Sequence, residues 1–307
     1  MNIIGDHRVI ADLHHRKVIG RNGRARIRIL FLLGGGSAGI ISAERLRALE
    51  DAGIPAENFD YIVCISAGAY NGVGYVAQQT RELRPMYLAF AQGPWRGVDR
   101  IRELVNTIQD RLDHETFRES GPDVLVGVSD LLGNLKLHSA KQAENLPDLL
   151  YAASAIPPFS WGCEVNGHIG LDGAFAHPCP VCPVARMLRA MWREGVEVDM
   201  VLFANRPEPA QLPYYDPIAF GALIHTMLWW HAPQLRPGAA AIDERVDEVI
   251  RLFRKQRKRF RLFAWFPSPE HYILPIEWRP GRMQDVGDAV YASTEQVLDQ
   301  HRPTQWV

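Results

Sequence analysis

Cysteine is scarce in this chain, with four among 307 residues, at positions 64, 163, 179 and 182. Cys179-Pro-Val-Cys182 forms a single C-x-x-C, but no second such pair completes a zinc site, and Cys64 falls inside a strand-like run. Buried, unpaired thiols are therefore expected, and no metal or other cofactor. Excess charge of either sign is also missing. A formal net charge of −1 excludes bulk electrostatic attraction to nucleic acid or to anionic lipid. No uninterrupted apolar run approaches the ~20 residues that span a bilayer. The opening stretch Met1-Asn-Ile-Ile-Gly-Asp-His-Arg8 has no apolar core of the kind a signal peptide carries. Internal repeats, low-complexity tracts and a clear linker are absent as well. Together these absences predict a soluble, cytoplasmic globular protein.

What the chain does have is an ordinary globular composition, 47% hydrophobic and 22% charged, with ample length for a large core. Residues 1–26 carry Arg8, His14, His15, Arg16, Lys17, Arg21, Arg24 and Arg26, with Gly20 and Gly23 breaking the run. This segment reads as a solvated N-terminal extension containing a short hairpin or loose strand; weak contact with phosphate head groups is the alternative. Residues 27–307 read as one domain. The pattern specifies no oligomeric state.

Residues 27–75 organise the rest. Arg28-Ile-Leu-Phe-Leu-Leu33 breaks at Gly34-Gly35-Gly36-Ser37-Ala38-Gly39, and Tyr61-Ile-Val-Cys-Ile65 breaks at Ser66-Ala67-Gly68-Ala69. Short apolar runs ending in glycine turns and followed by helix-period segments predict parallel strands buried on both faces. The loops at the carboxyl ends of such strands open into one crevice, so Gly34–Gly36 and Ser66 should face the same cavity.

Two functions compete for that crevice. Gly34, Gly36 and Gly39 satisfy G-x-G-x-x-G, the dinucleotide-binding pattern. That reading needs an acidic residue at the end of the second strand to hold a ribose, but Asp60 stands at its beginning and Ser66 at its end. The rival makes Ser66 a nucleophile on a strand-to-helix elbow, with Ala67 and Gly68 keeping the turn small. The amides of Gly34, Gly35 and Gly36 then donate to an oxyanion. A serine that merely caps a helix beside a glycine turn is the plainest alternative.

A third stretch bears on the choice. Ala153-Ser154-Ala155-Ile156-Pro157-Pro158-Phe159 precedes Val165-Asn-Gly-His-Ile-Gly-Leu-Asp172-Gly173-Ala174. With these motifs the sequence resembles the patatin-like phospholipases over most of residues 27–185. That family carries, in this order, G-G-G-x-R/K-G, G-x-S-x-G, A-S-x-x-[IV]-P and D-G-[GA]. The resemblance implies an α/β fold, a three-layer α/β/α sandwich with a mostly parallel central sheet and helices on both faces. It implies a lipid ester substrate, transient contact with a membrane surface, oxyanion donors at Gly34, Gly35 and Gly36, a nucleophile at Ser66 and its partner at Asp172. Such a dyad requires Asp172 to sit in a mostly apolar crevice that raises its pKa.

The departures from the pattern are specific. Ala38 stands where the family has a basic residue, Cys64 replaces the first elbow glycine, and Phe175-Ala-His-Pro-Cys-Pro-Val181 lacks the usual asparagine. Cys64 puts a Cβ at the tightest point of the elbow and implies a strained backbone there. These changes leave open a catalytically silent homologue that binds lipid or acyl ligands. A Ser-His-Asp triad would draw on His177, His225, His231, His271 or His301, none of which lies in a signature.

Elsewhere, residues 81–118 read as helical. Strands are predicted at 124–129, 135–138, 196–205 and 261–266, and helices at 147–155, 184–194, 216–231, 243–258 and 283–301. The 216–231 helix is strongly apolar and ends in Met227-Leu-Trp-Trp-His231; core packing is the plain reading, and an interfacial lipid contact the alternative.

Overall fold

The computed structural model describes residues 2–15, 26–92, 99–157, 160–188, 196–208, 251, 260–274 and 277–302. In chain order, Asn2–Gly5 (β1) and Arg8–Leu13 (α1) lead to Arg26–Leu32 (β2) and Gly39–Asp51 (α2). Tyr61–Ile65 (β3) precedes Ala67–Val76 (α3), Thr80–Gln92 (α4), Arg100–Arg111 (α5) and His114–Glu119 (α6). Asp123–Ser129 (β4), Leu135–Ser139 (β5), Leu146–Ala152 (α7), Cys163–Val165 (β6) and His168–Asp172 (β7) follow. Val181–Met187 (α8), Glu197–Phe203 (β8), Phe260–Phe266 (β9) and Pro280–Gln300 (α9) complete the described elements.

The strands form one sheet in the order β1-β9-β8-β2-β3-β4-β7-β6, with β5 also on β4. The five central strands, β9, β8, β2, β3 and β4, are mutually parallel. Antiparallel strands are confined to the flanks. The alternation of side chains along each central strand builds two cores. Ile29 and Phe31 of β2 face one layer with Val63, Met200 and Leu262, covered by Val181 and Val184 of α8. Leu30 and Leu32 face the other with Ile62, Val126, Val201 and Phe263, covered by α1, α2, α3 and α7. The molecule is thus an α/β/α sandwich around a mostly parallel sheet. Each fully buried leucine or phenylalanine in these layers contributes about 2–3 kcal/mol.

The N-terminal segment differs from the solvated extension read in the sequence. β1 pairs antiparallel with β9, Asn2 opposite Phe266, and closes that edge of the sheet. Val9, Ile10 and Leu13 of α1 are fully buried. An uncovered β9 would leave a row of unpaired backbone groups, and an apolar strand and helix-face close by in sequence cap it. Arg26, read as part of the basic run, begins β2 and pairs with Asp12 and Glu197. The helical tract 81–118 resolves into α4, α5 and α6. The apolar 216–231 helix, most of the 243–258 helix and residues 16–25 lie outside the described residues.

Candidate functional site

The register of the sheet decides what meets at its carboxyl edge. β2 and β3 run in parallel with Leu32 opposite Cys64, so the glycine turn and Ser66 leave adjacent strands at the same level. They are in contact. A Cβ on Gly34 would lie 2.7 Å from the Cβ of Ser66 and 3.5 Å from its Oγ. Real Cβ atoms do not approach so closely, and the absence of a side chain is what lets the loop backbone lie against the serine. Gly35 and Gly36 then turn through φ of 152° and 55°.

Ser66 has φ 54° and ψ −128° and stands at the N-terminal boundary of α3 without a side-chain capping bond. A non-glycine residue in this region costs of order 1–3 kcal/mol, and such strain concentrates at functional sites. The strain expected at Cys64 is therefore found two residues later. Cys64 itself is an ordinary strand residue, paired with Leu32 and Val126. Its side chain is accommodated from the other side: a Cβ on Gly72 of α3 would stand 2.5 Å from the Cys64 Sγ. The cysteine occupies the gap that Gly72 leaves, and burial pushes its thiol well above the ordinary range. Ala38 is fully buried within an apolar cluster with Ile40, Ile41 and Tyr87.

Asp172 is brought in by β4. One edge of β4 is taken by β5 along Leu125–Ser129. β3 and β7 must share the other edge end to end. β3 ends with Ile65 opposite Gly127, and β7 ends with Asp172 opposite Val128. The residue after Ile65 is Ser66, so the serine and the aspartate converge on consecutive positions of one strand edge. The Ser66 hydroxyl is near enough to the Asp172 carboxylate to favour its charged form, and Asp172 Oδ1 accepts the Ala174 N–H at 2.9 Å.

Both side chains are buried, Ser66 at 6% exposure and Asp172 at 2%. Burial strips water from the carboxylate and pushes its pKa up to about 6, against the Ser66 hydroxyl and the Ala174 N–H, which favour the charged form. Ser129, at the end of β4, holds the aspartate loop: its Oγ donates to the Asp172 carbonyl at 2.8 Å and accepts the Ala176 N–H at 2.9 Å. Asn205, just beyond β8, holds the glycine loop through a 2.6 Å bond from Nδ2 to the Leu33 carbonyl. Neither residue stood out in the sequence. The signal that could have found them is a polar residue at the carboxyl end of an otherwise apolar parallel strand.

The other readings of the sequence are placed as well. Asp60 accepts the Arg28 N–H at 2.7 Å, at the opposite edge of the sheet from the glycine turn. His271 lies 3.1 Å from Ser268 Oγ, and His301 stacks on His7. The His177 backbone N–H bonds Gly173; His225 and His231 lie outside the described residues. Among the described residues, the groups that act on the Asp172 carboxylate are the Ser66 hydroxyl and the Ala174 N–H. None of the four cysteines forms a disulfide, and among the described residues no cluster of His, Cys, Asp or Glu could hold a metal.

The patatin-like phospholipase family profile matches residues 30–185, about half the chain, and takes in the glycine loop, Ser66 and Asp172. The chain belongs to the patatin-like phospholipase family. It is similar to the crystal structure of VipD from Legionella pneumophila, at 13% identity and a TM-score of 0.43, covering 90% of this chain and 67% of that one. No curated protein sequence matches it. Within the patatin-like region, the glycine loop, the elbow and the D-G-A turn are the three features that meet. No described helix is long and apolar enough to cross a membrane.

Proposed function

We propose that this patatin-like protein is a serine lipid acyl hydrolase of the phospholipase A or lysophospholipase type, with Ser66 as nucleophile and Asp172 as its base. The observation that carries this reading is the convergence of Ser66 and Asp172 on one edge of β4, with the carboxylate buried and its pKa pushed up to about 6. A carboxylate at its ordinary pKa is a poor acceptor for a serine proton; one poised near neutrality is a usable general base.

In this scheme Asp172 takes the hydroxyl proton as Ser66 Oγ bonds to the ester carbonyl carbon. The carbonyl electrons move onto oxygen, facing the N–H groups of Gly34, Gly35 and Gly36. Each donor well aimed at that charge supplies about 3–4 kcal/mol. The first turn of α3, which begins directly after Ser66, adds the positive end of its dipole. Collapse expels the alkoxide, which leaves as the alcohol with the proton held by Asp172. Water then attacks the acyl-serine, passing a proton to Asp172, which returns it to Ser66 as the fatty acid departs. These residues suffice for the scheme, with no metal or cofactor.

A lipid ester must be drawn from an aggregate, so transient contact with a membrane surface belongs to the proposal. Leu131 and Leu132, the latter 79% exposed, stand in the turn just beyond Ser129 and suit that contact. The silent-homologue reading rested on Ala38 and Cys64. Gly72 makes room for Cys64, which weakens half of it.

Turnover of p-nitrophenyl acyl esters and labelling by a fluorophosphonate test the proposal directly. Wild type should hydrolyse and label; Ser66→Ala should do neither, and Asp172→Asn should lose turnover with its fold intact by circular dichroism. Equal background rates in all three would overturn the hydrolase reading and leave the binding-only one.

A further inference from the structure

Four buried side chains connect the serine elbow to the glycine loop, and the scheme above uses none of them. Tyr87 on α4 donates its hydroxyl toward Asn71 Oδ1 at 3.0 Å and toward the carbonyl of Ala67, the residue after Ser66, at 3.3 Å. Asn71, on the elbow helix α3, donates from Nδ2 to the Gly39 carbonyl at 2.8 Å and to Ser42 Oγ at 2.7 Å. The Ser42 backbone N–H donates to Asn205 Oδ1 at 3.0 Å. Asn205 Nδ2 in turn donates to the Leu33 carbonyl at 2.6 Å.

The ends of this chain matter most. Leu33 is the last residue before the glycine triplet, and Gly39 is the first residue of α2 after it. Both carbonyls are held by a buried side-chain amide, one on β8's end and one on the elbow helix itself. The loop is therefore clamped at its start and its finish, and its finish is clamped by the element that carries the serine. Gly39 fits this role: a Cβ there would lie 2.2 Å from the Tyr87 hydroxyl oxygen. The third glycine of the apparent dinucleotide pattern admits a tyrosine.

We propose that Asn71 and Asn205, joined through Ser42 and seated by Tyr87, are positioning residues that fix the glycine loop at its working distance from Ser66. This rests on the acyl hydrolase reading above. Donors must sit where charge develops, and a misplacement of about 1 Å costs on the order of 100-fold in rate. Side chains acting through one network should also couple, so their losses should not multiply.

The test measures kcat and KM on p-nitrophenyl butyrate, with backbone hydrogen exchange, for wild type, Asn71→Ala, Asn205→Ala, the double variant and Tyr87→Phe. We expect each Asn variant to lower kcat by about 10–100-fold with KM changed less than about twofold. The double variant should fall little further than the worse single one. Tyr87→Phe should lose about 3–10-fold. Exchange of the 33–39 segment should quicken in every variant while β8 and β9 keep their protection. Unchanged kcat, multiplicative losses, or exchange that quickens equally across the sheet would each overturn the proposal. Should the alanine variants not fold, Tyr87→Phe, which keeps the ring, decides alone by the same two readouts. An inert wild type would sink the hydrolase reading, and the exchange pattern would still decide whether the clamp exists.

Discussion

Two aspartates at opposite ends of the same sheet are equally buried and chemically opposite. Asp172, at the carboxyl edge, and Asp199, near the start of β8, are each 2% exposed. Asp199 accepts from the Arg261 guanidinium, Nε at 2.7 Å, and lies 3.4 Å from Arg26 Nη1. Asp12 joins the cluster, with Arg261 at 2.6 Å and Arg26 at 3.0 Å. The amino edge of the sheet is thus an ion-pair cluster that ties α1 to β2, β8 and β9. Asp172 has a hydroxyl and one backbone N–H, and among the described residues no cation. Burial is the same in both places, but only one carboxylate is compensated. The uncompensated one is left with a raised affinity for a proton, which is what a base for serine needs.

Exchanging the acid for its amide at each end should break this symmetry most visibly. Asp172→Asn should lower ester turnover by about 10⁴-fold, whereas Asp199→Asn should leave the kcat of the folded protein within about threefold. Urea unfolding should give the converse. Asp199→Asn takes the most buried carboxylate out of this cluster, leaving Arg26 to Asp12 and Glu197 and Arg261 to Asp12, and should cost about 3–5 kcal/mol.

A smaller effect, opposite in sign, is expected for the stability of Asp172→Asn. The folded-state pKa of Asp172, about 6, lies above the 3.8 of an unperturbed aspartate. Between these values the folded chain holds a proton that the unfolded chain has released, so this group's contribution to stability falls as pH rises from about 4 to 6. The variant escapes that loss. It should match wild type near pH 4 and exceed it by about 3 kcal/mol above pH 7, read from the difference in thermal unfolding at the two pH values. The same ionisation should shape catalysis: kcat/KM of wild type should fall about tenfold per pH unit below pH 6, because only the ionised carboxylate accepts the serine proton.

The smallest change tests the elbow. Cys64→Gly restores the glycine at this position but empties the space beside Gly72 and loosens a strand. It should cost about 1–2 kcal/mol by denaturant unfolding and leave turnover nearly unchanged. A rise in turnover would instead place the strain at Cys64.

Much of this was legible in the chain. The runs 28–33 and 61–65, each ended by small residues, mark two strands and two turns because glycine and strand periodicity are local properties. The order of the glycine loop, Ser66 and Asp172 carried the family. The N-terminal segment was misread because its basic residues suggested solvent, while the edge of β9 that β1 covers lies over 250 positions away. The strain at Ser66 was assigned to Cys64 because the relief that Gly72 provides comes from a facing helix. Asn205 and Ser129 were invisible as site residues because their importance lies in which carbonyls and N–H groups they reach.

By itself, then, the sequence determined the local pieces: the buried strands, the side-chain-free turn, the serine at the strand end and the aspartate before Gly173. Their meeting was decided by tertiary structure. Ser66 and Asp172 touch because β5 fills one edge of β4, leaving β3 and β7 to divide the other. Asp172 is raised in proton affinity and Asp199 is ion-paired, because burial and the placement of arginines are sums over distant parts of the chain. No short window of sequence contains either sum.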